Sequence, residues 1–309
     1  MRILFMGTPD FAMCSLKAIH ENTSNEIVGV VTTPDKPRGR GMVLTPSPVK
    51  KYALENGLSV YQPLTLKDGA FLDTLNVLNP ELIIVVAYGK ILPSYVLDFP
   101  KYACINAHAS ILPKYRGAAP IQRAIMDGER ETGVSIMKMD VGLDTGDVIL
   151  VEKIEICEND NFESVHDKLI DAASKGLLKA IELFENGSAT YTKQGDSFTY
   201  AEKITKEDCL IDFNKAVKSV HDKIRGLSPI PVAFTKTPDG KILKVTKAHI
   251  SSTDYSGESG EVVSLDKGIF VKCLDGTIVL DEVVPEGKGK MSASDYINGR
   301  KIKEGDILK

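Results

Sequence analysis

Leu82, Ile83, Ile84, Val85, Val86 and Ala87 form an unbroken apolar run. A strand of that composition has no face for water, so it belongs inside a sheet covered on both sides, as parallel α/β sheets are. The rest of the first 150 residues agrees, because short apolar strands alternate with helical segments. Residues 3–6 read as a strand, followed by a turn at Gly7 and a helix from about Pro9, which suits a first helical turn. Residues 27–32 read as the next strand. Ser47 and Pro48 then read as the N-cap and first position of a helix closing at Gly57. The strand over residues 103–109 carries Asn106 and His108 to its carboxyl end, where open α/β sheets bind ligands. The expected fold is a Rossmann-like parallel sheet domain. Gly7-Thr8-Pro9-Asp10-Phe11 lacks both the three-glycine fingerprint and a P-loop lysine, and is read as a tight turn rather than a nucleotide site.

Phe162, Val165, Leu169, Ala172, Ala173, Leu177, Ala180, Ile181 and Phe184 recur at helical spacing, marking a long amphipathic helix that Asn186-Gly187 ends. Residues 188–204 mix Thr, Lys, Gln, Gly and Asp and read as an inter-domain connector. Beyond it come a helix over 216–225 and short strands near 232–235, 243–250, 260–263, 269–273 and 278–284, with turns at Pro238-Asp239-Gly240 and Asp275-Gly276. That pattern suggests a small OB-like β-barrel. The expected organisation is a catalytic domain over 1–188, a linker over 189–204 and a barrel domain over 205–309.

A net charge of −4 leaves no global attraction to nucleic acid, so any contact with a polyanion is local. Up to residue 188 there are 24 Asp and Glu against 19 Lys and Arg; the remainder has 18 against 19, which favours the back half, slightly, for a polyanion. Cys14, Cys104, Cys157, Cys209 and Cys273 are dispersed without metal-ligand spacing, which fits reduced thiols in a cytoplasmic chain that needs no metal. The opening apolar run is too short for a signal peptide, and no stretch has the length of a membrane span.

Asn106, His108 and Asp144 supply an amide, an imidazole and a carboxylate. That set can move an acyl group between nitrogens: the first two donate to a tetrahedral oxyanion, and the carboxylate holds the imidazole and helps shuttle protons. The attacking amine belongs to the substrate, so no Ser or Cys nucleophile is needed. By themselves the residues also admit a plain reading, a polar strand end with a structural histidine and a glycine-rich turn over 140–146.

The string Asn106-Ala107-His108-Ala109-Ser110-Ile111-Leu112-Pro113-Lys114-Tyr115-Arg116-Gly117 resembles the signature of formyltransferases that use 10-formyltetrahydrofolate. Asp140-Val141-Gly142-Leu143-Asp144-Thr145-Gly146 resembles its partner loop. The resemblance implies that Asn106, His108 and Asp144 are the catalytic trio and 10-formyltetrahydrofolate the co-substrate. It also implies a folate wall at Ser110, Ile111, Leu112 and Pro113, a pteridine lining from Val86, Ala87, Tyr88, Gly89, Ile91 and Leu92, and a folate contact at Gly142.

Between residues 33 and 51, Lys36, Arg38, Arg40, Lys50 and Lys51 face the single acid Asp35, among prolines and glycines that break regular structure. Such a stretch is either a solvated surface loop or an arm that touches nucleic-acid phosphate. Pro34-Asp35-Lys36-Pro37-Arg38-Gly39-Arg40-Gly41 is similar to the insertion loop of the family's branch that formylates initiator methionyl-tRNA. The resemblance implies tRNA contacts from Lys36, Arg38, Arg40 and Lys50, with Arg40 at the recognition position, and tRNA binding by the barrel domain; a monomer is the expected state. Gly7 to Ala12 and Arg225-Gly226-Leu227-Ser228-Pro229 resemble the same branch, whereas His221, the segment Pro229-Ile230-Pro231-Val232 and the lack of Trp depart from it. Two rival readings are a formyltransferase with an amino-sugar nucleotide acceptor, which has no use for the basic arm, and a non-catalytic nucleic-acid-binding protein.

Overall fold

The computed structural model describes residues 1–38 and 42–309. They divide into two compact units, each assembled from several stretches of chain. The first comprises Met1–Gly117, Gly133–Ile154 and Lys168–Tyr200, and the second Ala118–Thr132, Glu155–Asp167 and Ala201–Lys309. Residues 118–132 and 155–167, inside the catalytic domain expected over 1–188, thus belong to the second unit, and most of the expected linker over 189–204 belongs to the first, because segments distant in the chain pack together.

The elements up to residue 185 are β1 (Arg2–Gly7), α1 (Asp10–Asn22), β2 (Glu26–Val31), β3 (Lys36–Arg38), β4 (Val43–Thr45), α2 (Pro48–Glu55), β5 (Val60–Tyr61), α3 (Phe71–Leu78), β6 (Leu82–Val86), α4 (Ser94–Leu97), β7 (Ala103–His108), β8 (Arg116–Gly117), α5 (Pro120–Met126), β9 (Glu131–Lys138), β10 (Val148–Glu155) and α6 (Phe162–Glu185). A seven-stranded sheet runs in the order β10-β9-β7-β6-β1-β2-β5. Its β7-β6-β1-β2-β5 stretch is parallel, and β9 joins β7 antiparallel. All five β6 side chains are buried, each stabilising the fold by about 1.5–3 kcal/mol relative to exposure. Gly7 closes β1 because a Cβ there would lie 2.6 Å from Ala12 Cβ and 2.8 Å from the Val86 carbonyl oxygen. Ser47 caps α2, its hydroxyl accepting from the Lys50 N–H at 3.1 Å.

The basic stretch read as lacking regular structure holds an antiparallel ribbon, in which Lys36, Pro37 and Arg38 of β3 face Thr45, Leu44 and Val43 of β4. A two-stranded ribbon tolerates Pro37 because its outer edges need no ladder partner.

The second unit adds η1 (Glu207–Cys209), α7 (Val217–Gly226), β12 (Ala233–Lys236), β13 (Ile242–Ile250), β14 (Val262–Ser264), β15 (Ile269–Lys272), β16 (Thr277–Pro285), β17 (Met291–Ser292) and α8 (Ala293–Asn298), with β11 (Tyr200–Ala201) preceding them. Strands β12-β13-β16-β15-β14 form an antiparallel sheet, with β17 on β16. Its two edges are joined through the last residues. Lys309 exchanges both backbone hydrogen bonds with Lys236 of β12, and Leu308 and Asp306 pair with Gly260 and Val262 beside β14. The sheet curls into the expected barrel because this segment pairs otherwise open edges. Val245, Val271, Ile278 and Leu280 fill its core with Val220 and Ile224 of α7. Among the described residues no helix is long and apolar enough to cross a membrane, and no group of three or more His, Cys, Asp and Glu could hold a metal ion.

Candidate active site

Asn106 and His108 stand two residues apart at the end of β7, so they point to one face of the sheet. Because β9 is antiparallel, its carboxyl end lies beside Ile105, not beside His108. The following loop must therefore turn back to bring Asp144 to the histidine. That return is built into the loop. Asp140 Oδ1 accepts from Gly142 N at 2.9 Å and from Thr145 Oγ1 at 2.6 Å, and Asp144 adopts φ 53°. A Cβ on Gly146 would collide with the Lys138 carbonyl oxygen, so the tight crossing requires glycine there.

The result is a buried imidazole 3.5 Å from a carboxylate, His108 Nδ1 to Asp144 Oδ2. The other nitrogen, Nε2, lies 2.9 Å from the Tyr115 carbonyl oxygen and is its donor. Asp144 Oδ2 also accepts the Gly117 N–H at 2.8 Å. Tyr115 holds φ 60°, a strained setting for a bulky residue, and its N–H donates to Thr199 Oγ1 at 2.9 Å. Asn106 is half-buried, and among the described residues its amide has no hydrogen-bond partner. Burial pushes the neighbouring Cys104 thiol up, which leaves no thiolate beside this strand at neutral pH.

The remaining expected site residues separate into distinct settings. Ala87, Gly89, Ile91 and Gly142 are exposed, with positive φ at Ala87 and Gly89 opening the backbone after β6. Val86 and Leu92 are core residues. Tyr88 is only 2% exposed, its hydroxyl has no hydrogen-bond partner among the described residues, and burial pushes the phenol up to about 12. The Ser110 hydroxyl is spent internally on the Lys114 carbonyl at 2.6 Å. Leu112 N–H donates to Ser135 Oγ at 3.0 Å, and that hydroxyl donates to the Ser110 carbonyl at 2.7 Å, so the 110–113 turn is fastened to β9. Ile111 and Pro113 are half-buried.

In the basic arm, Lys36 is exposed. Lys50 is engaged inside the unit, donating to Asp35 Oδ2 at 2.7 Å and Gln62 Oε1 at 2.8 Å. Lys50 and Gln62 hold the Asp35 carboxyl below its ordinary range, and the trio anchors the arm's base. The Arg38 side chain and Arg40 lie outside the described residues.

The residue that sequence reasoning missed is Gln194, in the supposed connector. Its Oε1 accepts from Arg116 Nε at 3.0 Å and Nη2 at 2.7 Å, while its Nε2 donates to the carbonyls of Asp144 at 2.9 Å and Gly146 at 2.7 Å. One amide thus clamps the carboxylate-bearing loop to the end of the signature string. A glutamine among small polar residues carries no periodic signal, so nothing in the string marks it.

This arrangement coincides with a match to the formyl transferase family over residues 1–181, and to its C-terminal domain over 203–301. The chain belongs to the formyl transferase family. Its relatives include the methionyl-tRNA formyltransferases of Clostridium novyi, 46% identical over 312 residues, and of Fusobacterium nucleatum, 45% identical over 312 residues; each match covers 100% of both chains. Among solved structures, the formyltransferase fold recurs in the methionyl-tRNA formyltransferase of Clostridium thermocellum, with TM-score 0.55 and 20% identity over 84% of this chain and 97% of that one. It recurs too in HypX of Aquifex aeolicus, solved in complex with tetrahydrofolic acid, with TM-score 0.64 and 21% identity over 98% of this chain and 48% of that one.

Proposed function

We propose that this formyltransferase transfers the formyl group of 10-formyltetrahydrofolate to the α-amine of methionine esterified to initiator tRNA, in the cytoplasm and as a monomer. The single observation that carries the chemistry is the His108–Asp144 pair beside the unpartnered Asn106 amide. Full-length similarity to methionyl-tRNA formyltransferases supports the acceptor.

The chemistry is a displacement of nitrogen by nitrogen at a formyl carbon. The free amine attacks, the C–N10 bond of the folate breaks, and the proton lost by the amine ends on N10 as tetrahydrofolate leaves. Charge collects on the formyl oxygen in between. Asn106 is the donor without another commitment and meets that oxygen. His108 spends Nε2–H on the Tyr115 carbonyl, so its Nδ1 side is the working one. At 3.5 Å the Nδ1 contact with Asp144 is longer than a firm hydrogen bond, and a protonated ring can donate there to substrate instead. Asp144 orients the ring and passes the proton from amine to leaving nitrogen.

The open backbone at Ala87 and Gly89, with Ile91, Ile111, Pro113 and Gly142, suits a flat heterocycle read by main-chain groups. Val86, Leu92, Ser110 and Leu112 shape that wall from behind, and the buried Tyr88 hydroxyl has no hydrogen-bond partner among the described residues. Lys36, Arg38 and Arg40 are the arm's contacts to tRNA phosphate, Lys50 bracing them from within, and the barrel domain supplies further tRNA contacts.

Incubation with 10-formyltetrahydrofolate and charged initiator tRNA, free methionine or an amino-sugar nucleotide tests the reading. Formylation of the charged tRNA alone is expected. Formyl transfer to the sugar nucleotide instead, or to no amine, overturns it.

A further inference from the structure

The segment after α6 carries an aromatic surface that the transfer chemistry leaves unused. The chain has ten Phe and ten Tyr. Among the described residues all but three of these rings are buried or half-buried. The exceptions, Tyr191, Phe198 and Tyr200, are 42%, 43% and 55% exposed and fall within one ten-residue stretch. An aromatic side chain contributes to a fold chiefly through the area it removes from water, so three exposed rings within ten residues of chain are surface left available to a ligand.

Two of the rings carry a cation. The Arg116 guanidinium carbon is 4.6 Å from the Phe198 centroid, and Lys138 Nζ is 5.7 Å from that of Tyr191. Phe198 and Tyr200 meet edge to face at 5.3 Å. The stretch is tied to the reacting centre: Gln194 lies within it and reaches the Asp144 carbonyl, and Arg116 joins Gln194 to Phe198. Exposed rings interleaved with cations are the chemistry that holds unpaired nucleotides, because bases stack on the rings and phosphates meet the charges.

We propose that Tyr191, Phe198 and Tyr200 form a stacking platform for the single-stranded nucleotides that precede the aminoacylated terminal adenosine of the acceptor. The inference rests on the charged-tRNA reading above and adds to it a specific subsite. A second copy of the chain or a protein partner covering the rings is the competing occupant, and the test separates them.

Tyr200→Leu and Tyr191→Leu remove rings without touching the His108–Asp144–Gln194 machinery; Phe198 is avoided because it supports Arg116. Steady-state formyl transfer is measured with charged tRNA and with methionyl-adenosine, which offers the same amine and terminal nucleoside but no preceding nucleotide. Each Leu variant is expected to raise KM for charged tRNA about tenfold, in line with the loss of one stacked base, and to leave methionyl-adenosine kinetics within about twofold. Tyr200→Phe is expected to restore the parent KM. An unchanged KM for tRNA in both Leu variants overturns the platform, as does an equal rise for both acceptors. Binding of the trinucleotide CCA to the parent and to the Tyr191→Leu/Tyr200→Leu double variant is independent of formyl transfer. At least tenfold weaker binding by the double variant is expected. Equal binding overturns the platform, whereas a parent that formylates neither acceptor overturns the charged-tRNA reading instead.

Discussion

Gln194 holds Asp144 by its backbone, the side-chain amide donating to the Asp144 carbonyl oxygen at 2.9 Å from fifty residues along the chain. The same amide accepts two hydrogen bonds from Arg116, which is 6% exposed. Gln194→Ala frees the 144–146 turn and leaves a buried guanidinium under-bonded, at a cost of about 1–3 kcal/mol. The expected outcome is a fall in kcat of tenfold or more with a smaller change in KM for folate, measured alongside thermal unfolding. An unchanged kcat at reduced stability would show the clamp to be structural only.

Asn106→Ala deletes the uncommitted donor, and kcat is expected to drop about 10²–10³-fold. Asp144→Asn keeps an oxygen for the Gly117 N–H but removes the charge facing His108, and a comparable drop is expected. Rapid-quench measurement of a single turnover checks both. Retention of more than a tenth of the parental rate by either variant would remove that residue from the mechanism.

His221 gives a pH signature in the second unit. Burial lowers the pKa of its imidazole, and Arg225 and Lys218 reinforce the shift, while Asp222 and Glu158 oppose it. Its Nδ1 is buried and has no hydrogen-bond partner among the described residues. The native state therefore binds this proton less readily than the unfolded chain. Stability should decline as pH falls from above the unfolded value of about 6.5 toward the lower native value, then level off. Urea midpoints at pH 7.5 and 5.5 are expected to differ less in His221→Asn than in the parent. Equal differences in the two proteins would remove His221 as the cause.

Asp222 is 2% exposed and accepts from Arg225 Nε at 2.6 Å and Lys218 Nζ at 2.7 Å. Arg225 in turn donates to the Asp160 carbonyl at 2.9 Å, tying residues 155–167 to α7 within the second unit. Asp222→Ala strands a buried guanidinium, and a loss of about 3–5 kcal/mol is expected in equilibrium denaturation. A loss below about 1 kcal/mol would show that water replaces the carboxylate.

Arg40→Ala tests the basic arm. Each phosphate contact removed lowers the slope of log affinity against log salt by about one. The variant is expected to bind charged tRNA more weakly and with that flatter slope. Identical salt dependence in variant and parent would free the arm of its assigned role.

Local order is written plainly in the chain. The apolar run of β6, the Ser47 cap and the period of α6 depend on residues adjacent along the backbone, and each forms where the string places it. The pairing of His108 with Asp144 followed from resemblance, since nothing in the spacing 108 to 144 encodes a distance. What tertiary structure alone decided are the relations between residues far apart in sequence. These include the antiparallel entry of β9, which makes the Asp144 loop double back, and the use of Lys50 on Asp35 and Gln62. They also include the joining of the barrel edges by residues 306–309 and the conversion of a supposed connector into a clamp through Gln194. Periodicity reports which face of an element is buried, whereas a hydrogen bond between residues fifty positions apart exists only once packing has brought the two backbones together.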